Sequence, residues 1–177
     1  MNNKTEKLVL VDKKDRVIGF EDKLKCHLGK GALHRAFSIY IFNKKNQLLI
    51  QRRSKLKLLW PFYWSNTCCG HPRKNEDFGT AGKRRLREEM GFFCPLKIVG
   101  KFQYRAVFEK VGSENEVLTI LAGEYDGQIK PCPKEVADWR WIEMEDLKKE
   151  ISQNPSNFTP WFKIALKKVF KNRVFTK

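Results

Sequence analysis

The spacing of apolar and polar positions changes several times along the chain, and each change predicts an element. Residues 7–11 and 17–20 are short apolar runs on either side of the polar stretch 12–16, which reads as a hairpin. Residues 36–42 and 48–51 flank Asn43-Lys44-Lys45-Asn46 and predict a second hairpin. Over residues 76–90 the period lengthens to that of a helix, with Phe78, Ala81, Leu86 and Met90 as its buried stripe. Glu76 and Asp77 are placed in its first turn, where negative charge suits the helix dipole, and Gly91 ends it. Phe102, Tyr104, Ala106 and Phe108 alternate with polar residues as a half-buried strand does. Residues 116–122 and 138–142 are two further strands, and a helix starts near Met144. A last helix follows Pro160, with Phe162, Leu166, Val169, Phe170 and Val174 on one face and lysines on the other. Strands interleaved with helices predict an α/β domain with a mixed sheet.

Composition narrows the class. A chain of 177 residues, 41% hydrophobic and 12% aromatic, can bury a sizeable core, so a single domain over residues 1–177 is expected rather than disorder. No apolar run is long enough to span a bilayer, and the first residues lack a secretion signal, so the cytosol is the expected compartment. Cys26, Cys68, Cys69, Cys94 and Cys132 form no CxxC pair, which favours reduced thiols over a disulfide framework or zinc ribbon. The net charge of +16 admits nucleic acid, an anionic membrane surface or a phosphorylated substrate as partner. Because the excess is spread along the chain, a solvated surface accounts for most of it.

The most specific stretch is residues 70–92. Gly70 is followed five residues on by Glu76, and seven residues later comes Arg84-Arg85-Leu86-Arg87-Glu88-Glu89-Met90-Gly91-Phe92. This resembles the Nudix box, GX5EX7REUXEEXGU, in which U is a bulky aliphatic residue. Paired carboxylates on a helix are hard oxygen donors for Mg²⁺, which in turn bridges phosphate oxygens. One position departs from the pattern: Arg85 stands where the box has a glutamate. An arginine holds no cation but grips a phosphate bidentately, which moves the expectation from cleaving a diphosphate toward binding one.

The three histidines are His27, His34 and His71. His27 and His34 bracket a glycine-containing loop able to fold back on itself. In an extended segment Cys69 and His71 project to one side, as do Glu114 and Glu116. Three imidazoles and two carboxylates make a five-ligand set suited to Mn²⁺, Mg²⁺ or Zn²⁺, if the fold brings them together.

Asn66-Thr67-Cys68-Cys69-Gly70-His71-Pro72, Phe102-Gln103-Tyr104-Arg105-Ala106, Glu114-Asn115-Glu116-Val117 and Phe158-Thr159-Pro160-Trp161 resemble the signature segments of the type I isopentenyl-diphosphate isomerase family. The matches run in family order from Lys23 to Trp161. The resemblance implies a Nudix-like α/β/α sandwich and the interconversion of isopentenyl and dimethylallyl diphosphate through a tertiary carbocation. It implies Cys69 and Glu116 as the acid–base pair, Tyr104 as a hydrogen-bond partner of the carboxylate, and Trp161 as the face that stabilises the cation. A desolvated cation–π contact of this kind contributes on the order of 2 kcal/mol. His27, His34, His71, Glu114 and Glu116 are implied as metal ligands. Glu89, with the Cys69 carbonyl, is implied for the Mg²⁺ that arrives with the diphosphate, and Lys23, Arg53, Lys57 and Arg85 for the diphosphate itself. The implied partner is a small diphosphate, with no specific nucleic acid, no membrane span, and a monomer or weak homodimer as the assembly.

Two other functions compete. A Nudix hydrolase acting on a nucleoside diphosphate derivative shares the box, but has no use for Cys69, His71 and the Glu114/Glu116 pair. An RNA-binding module accounts for the charge alone. Taken singly, Cys69 also fits a small buried thiol, and Tyr104 and Trp161 fit core aromatics; the ordered set is what favours the isomerase.

Overall fold

Alternation along one central strand sets the layers. A computed structural model of the chain describes residues 6–169. In β3 (His34–Phe42) both faces are buried. Phe37, Ile39 and Ile41 pack on α2 (Phe78–Met90) through Ala81, Leu86 and Met90. Ala36, Tyr40 and Phe42 share a second core with Leu147 of α3 (Met144–Gln153) and with Phe162 and Ala165 of α4 (Pro160–Lys168). Side chains of a strand alternate between faces, so one apolar run serves both layers.

Strand β8 (Gly112–Glu124) pairs in parallel with the whole of β3, from His34 opposite Glu116 to Phe42 opposite Glu124, and antiparallel with β7 (Lys97–Phe108). The other edge of β3 receives β1 (Lys7–Val11), β6 (Cys68–Gly70) and β4 (Leu48–Arg53) in turn. β1 pairs with β2 (Val17–Asp22), and β4 with β5 (Trp64–Ser65) and β9 (Val136–Ile142). The sheet is mixed, with helices on both faces, so the fold is the expected α/β/α sandwich. A short helix, α1 (Lys23–His27), follows β2.

Several expectations are corrected. The second hairpin exists only at its tip, because β3 and β4 pair at Phe42–Leu48 and then diverge. Thr67 parts them: its Oγ1 accepts from Ile41 N at 3.0 Å and donates to Leu49 O at 2.6 Å. Helix α2 begins at Phe78, not 76, because the Asp77 carboxylate accepts from Thr80 N and caps the helix from outside. Pro160 is the first residue of α4 rather than the residue before it, as its fixed φ allows. β7, β8 and β9 each start earlier than the apolar pattern suggested. Phe170 and Val174, expected on the last helix, lie outside the described residues.

Candidate active site

The glycine loop between α1 and β3 is tied to β8, and this is what gathers the histidines. Gly29 and Gly31 take positive φ values of 56° and 68°. Ser113 Oγ donates to Gly29 O at 2.8 Å and Asn115 Nδ2 to Gly31 O at 3.1 Å. A Cβ on Gly31 would lie 2.6 Å from Ser113 Oγ, so the loop seats there as glycine. Ser113 and Asn115 face the loop, and the alternate residues Glu114 and Glu116 face the other side of β8. His27 ends α1, His34 opens β3 and His71 follows β6. One ligand atom from each of His27, His34, His71, Glu114 and Glu116 lies within 4.8 Å of all the others.

The donor set fits a divalent cation. His27 Nδ1 and His34 Nδ1 face the carbonyls of Lys23 at 2.6 Å and Ala32 at 2.8 Å, which turns each Nε2 toward the common centre. His34 Nε2 and His71 Nε2 stand 3.2 Å apart, close enough to share a proton or a cation between them. Glu116 Oε1 lies 3.5 Å from His34 Nε2 and 3.4 Å from His71 Nε2. Burial, and then the charge of His34, hold His71 well below the usual imidazole range, so it is neutral and able to ligate. Burial alone would lower His27 too, but Glu114 at 3.0 Å outweighs it and raises the group to about 9.

Next to this cluster sits the proposed acid–base pair. Tyr104 Oη donates to Glu116 Oε2 at 2.7 Å. Burial works to raise the Glu116 carboxyl, but hydrogen bonds and charge from His34, with Tyr104, bring it below the ordinary carboxylate range, so it is ionised. Cys69 is half-buried, with Sγ 3.3 Å from Ser38 Oγ and 3.4 Å from Asn66 Oδ1. Burial pushes its thiol up, against Ser38 and the Arg53 charge, and keeps it protonated at neutral pH. Burial, and then the charges of Glu116 and Glu114, push the Tyr104 phenol well above its ordinary range. The Trp161 ring lies 6.3 Å from that of Tyr104, buried at 3% exposure, with the Arg53 guanidinium 5.3 Å over its face.

The basic residues separate into three places. Lys57 and Arg85 both bond Glu135 and both face Glu89; Lys57 Nζ is 3.9 Å from Glu89 Oε1, and Arg85 also reaches Glu88 at 2.6 Å. Glu89 is buried and also accepts from Gln51 Nε2 at 2.9 Å. Burial opposes its charge, but Lys57, Arg85 and Gln51 hold it at about 2. Arg85 thus occupies both paired carboxylates of the box. Arg53 donates to the carbonyls of Leu59 and Trp60, and Lys23 pairs with Glu6 at 2.8 Å beside His27. Ser38, Gln51, Ser65 and Glu135 touch these groups and carry no motif that singles them out. Asn66 lies in the Asn66–Pro72 segment, where sequence alone gives it no role.

Comparison with known proteins gives the same direction. The NUDIX domain family matches residues 32–162. An isopentenyl-diphosphate Delta-isomerase of Burkholderia multivorans is 47% identical over 89% of this chain and 89% of its own. One from Serratia proteamaculans is 40% identical over 96% of this chain and 94% of its own. The crystal structure of DR0079 from Deinococcus radiodurans, 20% identical, superposes with a TM-score of 0.75 over 92% of this chain and 98% of that one, a likeness of fold. With the NUDIX match over most of its length and relatives at this identity, the chain belongs to the isopentenyl-diphosphate Delta-isomerase family.

Proposed function

We propose that the chain interconverts isopentenyl and dimethylallyl diphosphate in isoprenoid biosynthesis, with Cys69 and Glu116 as the acid–base pair. The observation that carries the reading is the placement of the two groups: Cys69 packs against the core cluster that holds Tyr104 and Trp161, and Tyr104 Oη donates to Glu116 Oε2 at 2.7 Å. Burial keeps the Cys69 thiol neutral, while His34 and Tyr104 keep the Glu116 carboxylate ionised against its own burial. Alkene isomerisation needs such a pair, one group giving a proton while the other takes one. In the direction where the thiol is the acid, Cys69 gives its proton to the terminal alkene carbon and the tertiary carbocation forms. Glu116 then takes a proton from C2, the carbon between the cationic centre and the diphosphate-bearing C1, and the C–H electron pair becomes the new double bond between C2 and C3. No electrons enter or leave. In the reverse direction the roles exchange. The Trp161 face offers its negative quadrupole to the cation.

His27, His34, His71, Glu114 and Glu116 would hold a Mn²⁺, Mg²⁺ or Zn²⁺ ion. Bound there, a divalent ion supplies positive charge that fixes the Glu116 carboxylate and tunes its acidity. Glu89 with the Cys69 carbonyl would hold the Mg²⁺ that accompanies the diphosphate, and Lys23, Arg53, Lys57 and Arg85 supply the cationic groups for its oxygens. Arg85 counts against hydrolysis, because it stands where the Nudix box has a glutamate that helps hold the metals that activate water, and an arginine ligates no cation. Incubation with isopentenyl diphosphate and Mg²⁺ is expected to yield dimethylallyl diphosphate with no free phosphate. Phosphate release from nucleoside diphosphate derivatives without isomerisation would overturn the reading.

A further inference from the structure

The hydrogen bonds at Asn66, beside the Cys69 thiol, are fixed in direction. Asn66 is fully buried, and its Nδ2 donates to Ile39 O at 3.1 Å and Cys68 O at 2.8 Å. Both amide protons are thereby used, and Oδ1 is fixed as an acceptor. It faces Cys69 Sγ at 3.4 Å and Ser65 Oγ at 3.1 Å. The Trp161 indole, which can only donate, bonds Ser65 Oγ at 3.1 Å, and Thr159 Oγ1 lies 2.9 Å from the same oxygen. Ser65 Oγ accepts from Trp161 and stands within donating distance of Asn66 Oδ1, with the Thr159 hydroxyl beside it able to take either role. One amide oxygen collects the thiol from one side and, through Ser65, the indole from the other.

We infer that Asn66 is a positioning residue for the reaction: it holds the Cys69 thiol and, by way of Ser65, the Trp161 ring in fixed relation across the substrate. The inference rests on the roles proposed above for Cys69 and Trp161. Its physical basis is buried satisfaction. Asn66, Ser65 and Thr159 have no solvent to turn to, so each hydrogen bond locks a rotamer rather than exchanging with water. Proton delivery to an unactivated carbon depends steeply on the distance and angle of the donor. A thiol free to rotate about its side chain, or an indole free to tilt, loses rate without losing the substrate, because the diphosphate is gripped elsewhere.

Asn66→Ala is expected to lower kcat by about tenfold or more, leaving KM for isopentenyl diphosphate and the circular dichroism spectrum unchanged. A second test covers the case in which that variant does not fold. Ser65→Ala and Trp161→Phe both delete the indole–hydroxyl bond, so the double variant is expected to lose less kcat than the product of the two single losses. A folded Asn66→Ala protein with kcat within twofold of wild type overturns the inference, as does strict multiplicativity of the Ser65 and Trp161 effects. Failure of the wild-type chain to isomerise would instead remove the roles on which the inference stands.

Discussion

Three partners meet at the Glu116 carboxylate, and its chemistry follows from them. Tyr104 donates to one oxygen while His34 and His71 face the other. Removing the charge but keeping the shape, as in Glu116→Gln, is expected to reduce turnover by about a thousandfold, in line with loss of a general acid–base group. Cys69→Ala is expected to do the same, with the unfolding midpoint of each variant close to wild type. Near-wild-type kcat in either one removes that residue from the mechanism. His27 gives a pH prediction. Its folded value of about 9 lies above that of an unfolded histidine, so in the ion-free protein it contributes stability fully below pH 6.5. That contribution is lost as pH rises through about 9. A ligating imidazole must be neutral, so ion binding has to expel this proton. Affinity for Mn²⁺ should then rise by up to about tenfold per pH unit below that value, with proton release seen by calorimetry in buffers of different ionisation enthalpy. Flat affinity over this range is the result that excludes it. At this scale the sequence was informative where residue type and spacing are both unusual: His27, His34, His71, Glu114 and Glu116, candidate ligands from four segments, converge as a cluster. Ser38, Gln51 and Glu135 were illegible, since a lone serine, glutamine or glutamate acquires meaning only from the partner that folding brings to it.

At the scale of elements, Thr67 is the piece that shapes the site. By bonding Ile41 N and Leu49 O it splits β3 from β4, and Gln51 in turn reaches its carbonyl at 2.9 Å. The split lets β6 lie along β3, which places Cys69 opposite Ser38. Thr67→Val keeps the volume and leaves a buried N–H and C=O unpaired, so a loss of about 2–4 kcal/mol is expected in urea unfolding. A loss below ~0.5 kcal/mol would mean that the strands close up without it. The apolar pattern around Asn43–Asn46 showed the turn but not the divergence, because a wedge from a distant segment leaves no trace in local periodicity. Helix α2 was legible in its interior and shifted at its start, where Asp77 competes as a cap with its role as a first-turn acid.

For the whole molecule, the sandwich puts the ligand cluster, the thiol and the box helix around one site, using both faces of strands that also make the core. The net charge of +16 exceeds what that site uses. Lys57 and Arg85 are already shared among Glu88, Glu89 and Glu135, so a diphosphate that binds them must compete with carboxylates of the same network. Among the described residues, no helix is long and apolar enough to cross a membrane. The mixed α/β class was legible in strand-period runs interleaved with helical ones, and the α/β/α layering in the family resemblance; the place of the site within it was not, because it depends on β6 and the loop before β3. The central claim is that a solvent-exchangeable acid on the protein delivers the proton. Running the reaction on isopentenyl diphosphate in ²H₂O with Mg²⁺ and following it by NMR tests this most directly. Deuterium in the newly formed methyl group of dimethylallyl diphosphate is the predicted result; conversion without solvent label, as an internal hydrogen shift would give, or no conversion at all, would contradict it.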